Sequence, residues 1–231
     1  MITVETIRER HSVREYDGKP LARVEFDALI AVVEECARES GLDIQLVGDN
    51  PEVFNVIARF GLIRGCRTHV AFVVDCAKAG DGVADEAIGY WGQKIVLAAQ
   101  DMGLNTCWCA LCSRKKSHAV VAPGKKIRLI IAVGHGKAQG FSRKTKSVEA
   151  LSSVECAKAP AWFAAAMEAA QLAPTAMNNQ NFKITLLSDA KTVRIDAPQS
   201  GLNVIDEGIV RCNFEIAANE AGADWRWERD I

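Results

Sequence analysis

No apolar run in this sequence reaches the roughly 20 residues that a membrane-spanning helix needs, and no signal-like stretch opens it. The expectation is a cytoplasmic protein with no membrane partner. Excess charge of either sign is missing too: 28 Lys and Arg stand against 29 Asp and Glu, a net charge of −1. Nucleic acids and acidic membrane surfaces attract a clear basic excess, so nucleic acid is not expected as a partner. There is no G-x-G-x-x-G unit, and neither a nucleophile–base triad nor a paired-carboxylate arrangement is recognisable, so no side chain is assigned as catalytic.

What is present is an ordinary globular composition, 49% hydrophobic and 25% charged over 231 residues, enough for one large domain or two small ones. Eight cysteines, Cys36, Cys66, Cys76, Cys107, Cys109, Cys112, Cys156 and Cys212, sit mostly among apolar neighbours, as free thiols packed like small hydrophobes do. "CWCALC" at 107–112 has a C-x-C-x-x-C spacing that an iron–sulfur cluster or zinc could use. It lacks a fourth ligand nearby, and alternate cysteines in a strand followed by a turn give the same pattern. No metal is assigned.

Hydrophobic periodicity predicts helices over about 3–11 and 24–39, the second with Phe26, Leu29, Ile30, Val33 and Cys36 on one face. Strands follow at "DIQLVGD" and "THVAFVVDC", the latter nearly all apolar and so expected to be central. "ADEAIGYWGQKIVLAAQDMG" reads as a long helix ended by Gly103. "NTCWCAL" and "KIRLIIAVGHG" read as two more strands. Beyond "SVEALSS" come a helix at "PAWFAAAMEAAQLA", strands at "NFKITLLSD" and "TVRIDA", and a long helix with a strand after it in "VIDEGIVRCNFEIAANEAGADWRW".

The second part echoes the first. With a constant offset of 119 residues, Gly89 falls on Gly208, Ala98-Ala99 on Ala217-Ala218, Gly103 on Gly222 and Trp108 on Trp227. Two unrelated amphipathic helices could share some of these matches, but the glycine spacing, the Ala-Ala pair and the following Trp together favour duplication. The expected halves are 1–155 and 156–231. The duplication is lopsided. "RERHSVREYDGKPL" precedes the helix of the first half only, and "APTAMNNQ" follows the helix of the second half only.

Each retained segment has a chemical and a plain reading. If "RHSVREYD" is extended, alternation puts Arg10, Ser12 and Arg14 on one face and His11 and Val13 on the other. Two guanidinium forks and a hydroxyl suit a phosphate; equally, Glu9, Glu15 and Asp17 could neutralise the arginines in a solvated turn. "APTAMNNQ" offers Thr175, Asn178, Asn179 and Gln180, whose amides suit a heterocycle edge or sugar hydroxyls. Its plain reading is helix-stop chemistry after Pro174.

Together the two segments resemble the FMN-dependent nitroreductase family. R-x-S-x-R with Asp17, Pro20 and an apolar helix resembles the family's opening. "LAPTAMNNQNF" resembles its A-P-S-x-x-N-x-Q-P-W loop, with Thr175 for Ser, Asn181 for Pro and Phe182 for Trp. "VLAAQDMGLNTCW" and "IIAVGHG" are similar to its central helix, following strand and last core strand. The resemblance covers most of the chain, with segments out of the usual order, and is nearest the subgroup that fuses two half-domains in one chain. It implies an α+β fold, a mixed or antiparallel central sheet flanked by helices, with an internal duplication mimicking the family homodimer.

The resemblance also implies cofactors and a site. FMN would be held by Arg10, His11, Ser12 and Arg14, with Arg143 or Lys144 from "GFSRKTK" assisting at the phosphate and Arg14 near the pyrimidine edge. Ala110-Leu111 would present a backbone N–H to flavin N5, where the family's glycine is missing. Asn55 would lie at the ring edge, and Thr175, Asn178 and Gln180 would act from the other half. In the family each flavin takes its arginines from one subunit and its A-P-S loop from the other, so a fused chain that keeps one of each retains a single site. NAD(P)H would be the reductant and a small electron acceptor, such as a nitroaromatic or quinone, the partner, in a pseudo-dimeric monomer or a homodimer. Alternatives are a non-catalytic flavin binder, a flavin-free scaffold, and a metal protein built on "CWCALC".

Overall fold

The computed structural model describes residues 2–54, 63–155 and 158–229. The chain packs as two compact units that interleave along the sequence. One comprises Arg10–Ala79 and Lys94–Ser142; the other comprises Met1–Glu9, Gly80–Gln93 and Arg143–Ile231.

The first unit is built on a four-stranded antiparallel sheet. Strands β1 (Asp43–Val47), β2 (Thr68–Asp75), β3 (Asn105–Cys109) and β4 (Lys125–Gly134) lie in the order β1-β2-β4-β3. "THVAFVVD" is central as its apolar run predicts, paired with β1 on one edge and β4 on the other. Only its last residue, Asp75, is exposed. Helix α2 (Arg23–Ser40) buries Leu29, Val33 and Cys36. These positions recur at four and three residues, the stripe that faces a core. The Glu25 carboxylate accepts the Ala22 N–H at 2.8 Å and so satisfies a loose donor at the helix start. Gly41, at φ 68°, ends the helix in the left-handed conformation.

The other unit is mainly helical. It holds α1 (Val4–Glu9), the first part of α3 (Gly82–Asp101), α4 (Val148–Leu151), α5 (Ala161–Gln171) and α6 (Asn203–Glu220). A small mixed sheet accompanies them: β5 (Lys183–Leu186), β6 (Thr192–Asp196) and β7 (Arg226–Trp227), with β5–β6 antiparallel and β6–β7 parallel. Where the pattern predicts a central sheet, the strands divide between two. The short connection that donates Leu187 N–H to Thr192 O (2.8 Å) pairs β5 with β6 locally.

Helix α6 is buried over the whole stretch from Val204 to Phe214, polar residues included. Its Glu207 and Arg211 are held in a buried ion-pair cluster. Arg211 lies 2.9 Å from Glu86 on α3, and Arg229 reaches Glu86 at 2.8 Å and Glu207 at 3.1 Å. Arg211 also stacks over the Trp227 ring, 4.6 Å from its centroid. Gln93 donates to Asn213 (2.9 Å), which donates to the Ala169 carbonyl (3.0 Å).

Two glycines let α3 and α6 meet. A Cβ at Gly89 would lie 2.0 Å from Ile205 O and 3.0 Å from Ile209 N; one at Gly208 would lie 2.0 Å from Glu86 O and 2.7 Å from Tyr90 N. The contact is reciprocal in the register read from the sequence, because Ile205 and Ile209 stand 119 residues after Glu86 and Tyr90.

Candidate functional site

In the first unit the arginine segment is extended and pinned along its length. Val13 N–H donates to Thr106 O (3.0 Å), Arg64 N–H to Arg14 O (2.8 Å), Tyr16 N–H to Arg64 O (2.8 Å) and Lys137 N–H to Glu15 O (2.9 Å). Gly136 makes this close lacing possible, since a Cβ there would lie 2.8 Å from Val13 Cγ1 and 2.7 Å from Asn105 Oδ1. His11 and Val13 share a face as alternation predicts: both border Gly140, and His11 Nε2 lies 3.2 Å from Ser142 Oγ. Ser12 and Arg14 are half-buried, while Arg10 is buried at 8% exposure.

Charge bears on the two readings of this segment. Glu15, one of the carboxylates that could neutralise an arginine of the segment, pairs with Arg64 at 3.5 Å. Asp17 accepts the Lys19 N–H (2.9 Å). Among the described residues Arg14 has no ion pair. A half-buried guanidinium without a carboxylate partner is suited to an anion from outside the protein chain.

In the same unit β3 ends at the turn holding Ala110 and Leu111. Arg114 Nη2 donates to Ala110 O (2.8 Å), and Leu111 projects into solvent at 67% exposure. Among the described residues no carbonyl accepts the Leu111 N–H. Cys107 and Cys109 point into the apolar core with Val13, Tyr16 and Cys66, and Cys112 packs against it. No group of three or more His, Cys, Asp or Glu among the described residues could hold a metal ion. Asn55 lies outside the described residues.

The amide loop of the other unit is strained and heavily anchored. Helix α5 stops at Gln171, ahead of Pro174. Met177, Asn178 and Gln180 then take φ of 52°, 58° and 46°, values that cost a side-chain-bearing residue roughly 1 kcal/mol or more each. Met177 is 90% exposed and contributes no packing in return. Polar anchors hold the loop instead. Asn178 donates to Lys144 O (2.8 Å), and Gln180 N–H donates to Thr175 Oγ1 (3.0 Å). The buried Gln180 amide accepts Lys146 N–H (2.6 Å) and donates to Gln171 O (2.8 Å). Lys144 therefore joins the loop through its carbonyl, and both Arg143 and Lys144 are exposed.

Sequence reasoning gave no role to Asp206. Both of its oxygens lie 3.0 Å from Ala176 N, so this one buried carboxylate ties α6 to the loop. Burial pushes its pKa up from the ordinary 3.8 to about 7, opposed only by that N–H. A group that binds its proton more tightly when folded favours the folded state at low pH. Stability should fall as pH rises from about 4 to about 7 and level off above, by an amount on the order of a few kcal/mol. Asp206→Asn keeps an oxygen for Ala176 and should lack this decline in urea melts taken across that range. An equally steep decline in the variant would assign it to another group. The sequence signal was weak: an acidic residue in the first turn of a helix is ordinary.

The chain thus combines an α+β fold and an antiparallel sheet with an extended arginine segment bridged to β3 and an Asn/Gln loop after an alanine-rich helix. A family model described as "Putative TM nitroreductase" matches residues 2–218, and the chain belongs to that family. Among solved structures, a "putative nitroreductase" from Thermotoga maritima MSB8 aligns with 100% of this chain and 90% of its own, at 19% identity and TM-score 0.67. A "putative nitroreductase in complex with FMN" from Desulfovibrio desulfuricans covers 66% of this chain and 95% of its own, at 19% identity and TM-score 0.50. A "Putative NADH dehydrogenase/NAD(P)H nitroreductase" from Parabacteroides distasonis gives 21% identity over 66% and 95%, with TM-score 0.50. At such identities the likeness is one of fold. No curated protein matches the chain.

Proposed function

We propose that the chain is an FMN-dependent oxidoreductase that takes hydride from NAD(P)H and passes it to a small acceptor such as a nitroaromatic or quinone. The observation that carries this reading is Arg14, a half-buried guanidinium with no ion pair among the described residues, on a segment pinned by main-chain hydrogen bonds. Family membership and the FMN complex of a fold neighbour support the choice of anion.

The chemistry of the side chains suits the cofactor. Arg10 and Ser12 are assigned to the phosphate with Arg143 or Lys144, and Arg14 to the pyrimidine edge, where a fixed cation favours the added electrons. The unengaged Leu111 N–H in the Ala110-Leu111 turn is assigned to N5, and Asn55 to the ring edge. Thr175 and Asn178 are assigned to the flavin from the other half, as the resemblance implies. His11 and Gln180 are assigned to the same site and also hold their segments, His11 beside Ser142 and the Gln180 amide between Lys146 N–H and Gln171 O. FMN, when bound, supplies the hydride acceptor and donor; the side chains bind and orient it and need not move a proton.

The same reading includes a duplication with halves 1–155 and 156–231. The reciprocal contact of Gly89 and Gly208 supports it, because fusing a homodimer preserves its two-fold interface within one chain. These halves are units of ancestry, distinct from the interleaved compact units. The product is a pseudo-dimeric monomer or a homodimer of such chains.

Arg14→Gln removes one charge-assisted contact and should weaken FMN binding roughly 10- to 100-fold in a fluorescence-quenching titration, with the melting temperature of the apoprotein unchanged. Equal affinity in the variant and the parent would remove Arg14 from the site. Parent protein that binds no FMN would sink the proposal and leave a scaffold.

A further inference from the structure

The turn after β3 carries a second chemistry that the flavin assignment leaves unused. Cys109 and Cys112 stand three residues apart, and Cys112 Sγ lies 3.7 Å from the Cys109 carbonyl, so the turn folds the later cysteine back over the earlier one. Their surroundings differ. Cys109 ends β3 with 5% exposure, whereas Cys112 is half-exposed at the edge of the same apolar cluster. We propose that Cys109 and Cys112 form a reversible intrachain disulfide, with half-exposed Cys112 as the attacking sulfur and buried Cys109 as the resolving one.

Electrostatics divides the roles in the same way. Interaction with the Cys109 thiol lowers the Cys112 pKa, and the nearby Arg114 guanidinium lowers it further against the opposing effect of burial. The same interaction and burial raise Cys109 far above the usual thiol range. Attack requires a thiolate that an oxidant can reach, and only Cys112 of the pair meets both conditions. The neighbouring thiols are worse candidates. Cys66 is buried, donates to Thr68 O (3.2 Å) and Val133 O (3.3 Å), and is pushed up to about 12. Cys107 and Cys109, two apart in one strand, are both buried.

The oxidant is a small disulfide such as oxidised glutathione. The Cys112 thiolate attacks one of its sulfurs, the S–S bond breaks, and one small thiolate leaves. Cys109 then attacks the Cys112 sulfur, the mixed disulfide breaks, and the second small thiolate leaves with the Cys109 proton. Two protein thiols are oxidised and one small disulfide is reduced to two thiols. The inference is independent of flavin binding.

The full chain, as purified, is equilibrated in glutathione buffers of increasing oxidised fraction, quenched with an alkylating agent under denaturing conditions and mapped by peptide mass. Two of the eight thiols should become unavailable together, on one peptide spanning 109–112, and return with excess reduced glutathione. Cys112→Ser should abolish the loss, and Cys109→Ser should trap glutathione on Cys112. If Cys109→Ser does not fold, the parent and Cys112→Ser decide the matter between them. Full alkylation of both cysteines across the series, or a disulfide mapped to Cys66 or Cys107, would overturn the proposal.

Discussion

Gly208→Ala should lower the melting temperature by roughly 6–12 °C, the equivalent of about 3 kcal/mol in a chain of this size. Two effects compete at this position. Alanine is the better helix former by about 1 kcal/mol. Its methyl carbon, however, would sit 2.0 Å from the Glu86 carbonyl oxygen and 2.7 Å from Tyr90 N, and backbone atoms inside a helix have no rotamer to escape into. The clash wins, and relief requires α3 and α6 to separate. Gly89→Ala meets the mirror-image obstacle at Ile205 O and should cost a similar amount. Because one separation relieves both clashes, the double variant should be destabilised by less than the sum of the two, a shortfall of about 0.5 kcal/mol or more in a thermal or urea cycle. Strict additivity would mean that the two contacts relax independently, which the reciprocal geometry forbids.

A loss as large should follow from Arg211→Met. The substitution keeps the apolar stem but strands Glu86 and Glu207, both buried, with the half-exposed Arg229 as their one remaining counter-charge among the described residues. Breaking a buried pair by removing one partner costs about 3–5 kcal/mol, because the remaining charge keeps its desolvation penalty. The pH dependence identifies the cause. Burial, with Glu86 beside it, already raises the Glu207 pKa in the parent. Loss of the guanidinium raises it further, so the variant's folded state gains a proton more readily and its deficit should shrink as pH falls. A deficit unchanged between mildly alkaline and mildly acid buffer would instead trace the loss to the missing stack on Trp227.

The secondary structure of this chain was largely legible because its signals are local. The apolar run of β2, the heptad-like stripe of α2 and Gly103 after α3 each name an element without reference to anything distant. Helix α6 shows where periodicity fails: a helix buried all round has no polar face, and its Asp206, Glu207, Arg211 and Asn213 are partnered rather than solvated. No pattern along one strand of sequence announces those partners, since Glu86 lies over a hundred residues away. The interleaving of the compact units was hidden for the same reason. Compactness follows contacts distant in sequence, and α3 runs from one unit into the other.

The candidate site was legible in its residue types and less so in their roles. Alternation placed His11 and Val13 together, but it could not foresee that Arg10 would be buried or that Glu15 would turn to Arg64. In the amide loop the sequence shows four polar side chains of equal promise. The structure separates them: Gln180 is an internal rivet, Asn178 is tied to Lys144, and unremarked Lys146 and Asp206 supply the other anchors. Such distinctions depend on backbone strain, which side-chain chemistry alone does not reveal.

The central claim is that this chain binds FMN and turns it over. Purified protein mixed with excess FMN, desalted and treated anaerobically with NADH and then NADPH tests it directly in one visible spectrum. The account predicts that about one flavin per chain survives desalting, and that its absorbance bleaches with a reduced nicotinamide and returns when a quinone is added. Protein that emerges colourless, or yellow but unreduced by either nicotinamide, would contradict it.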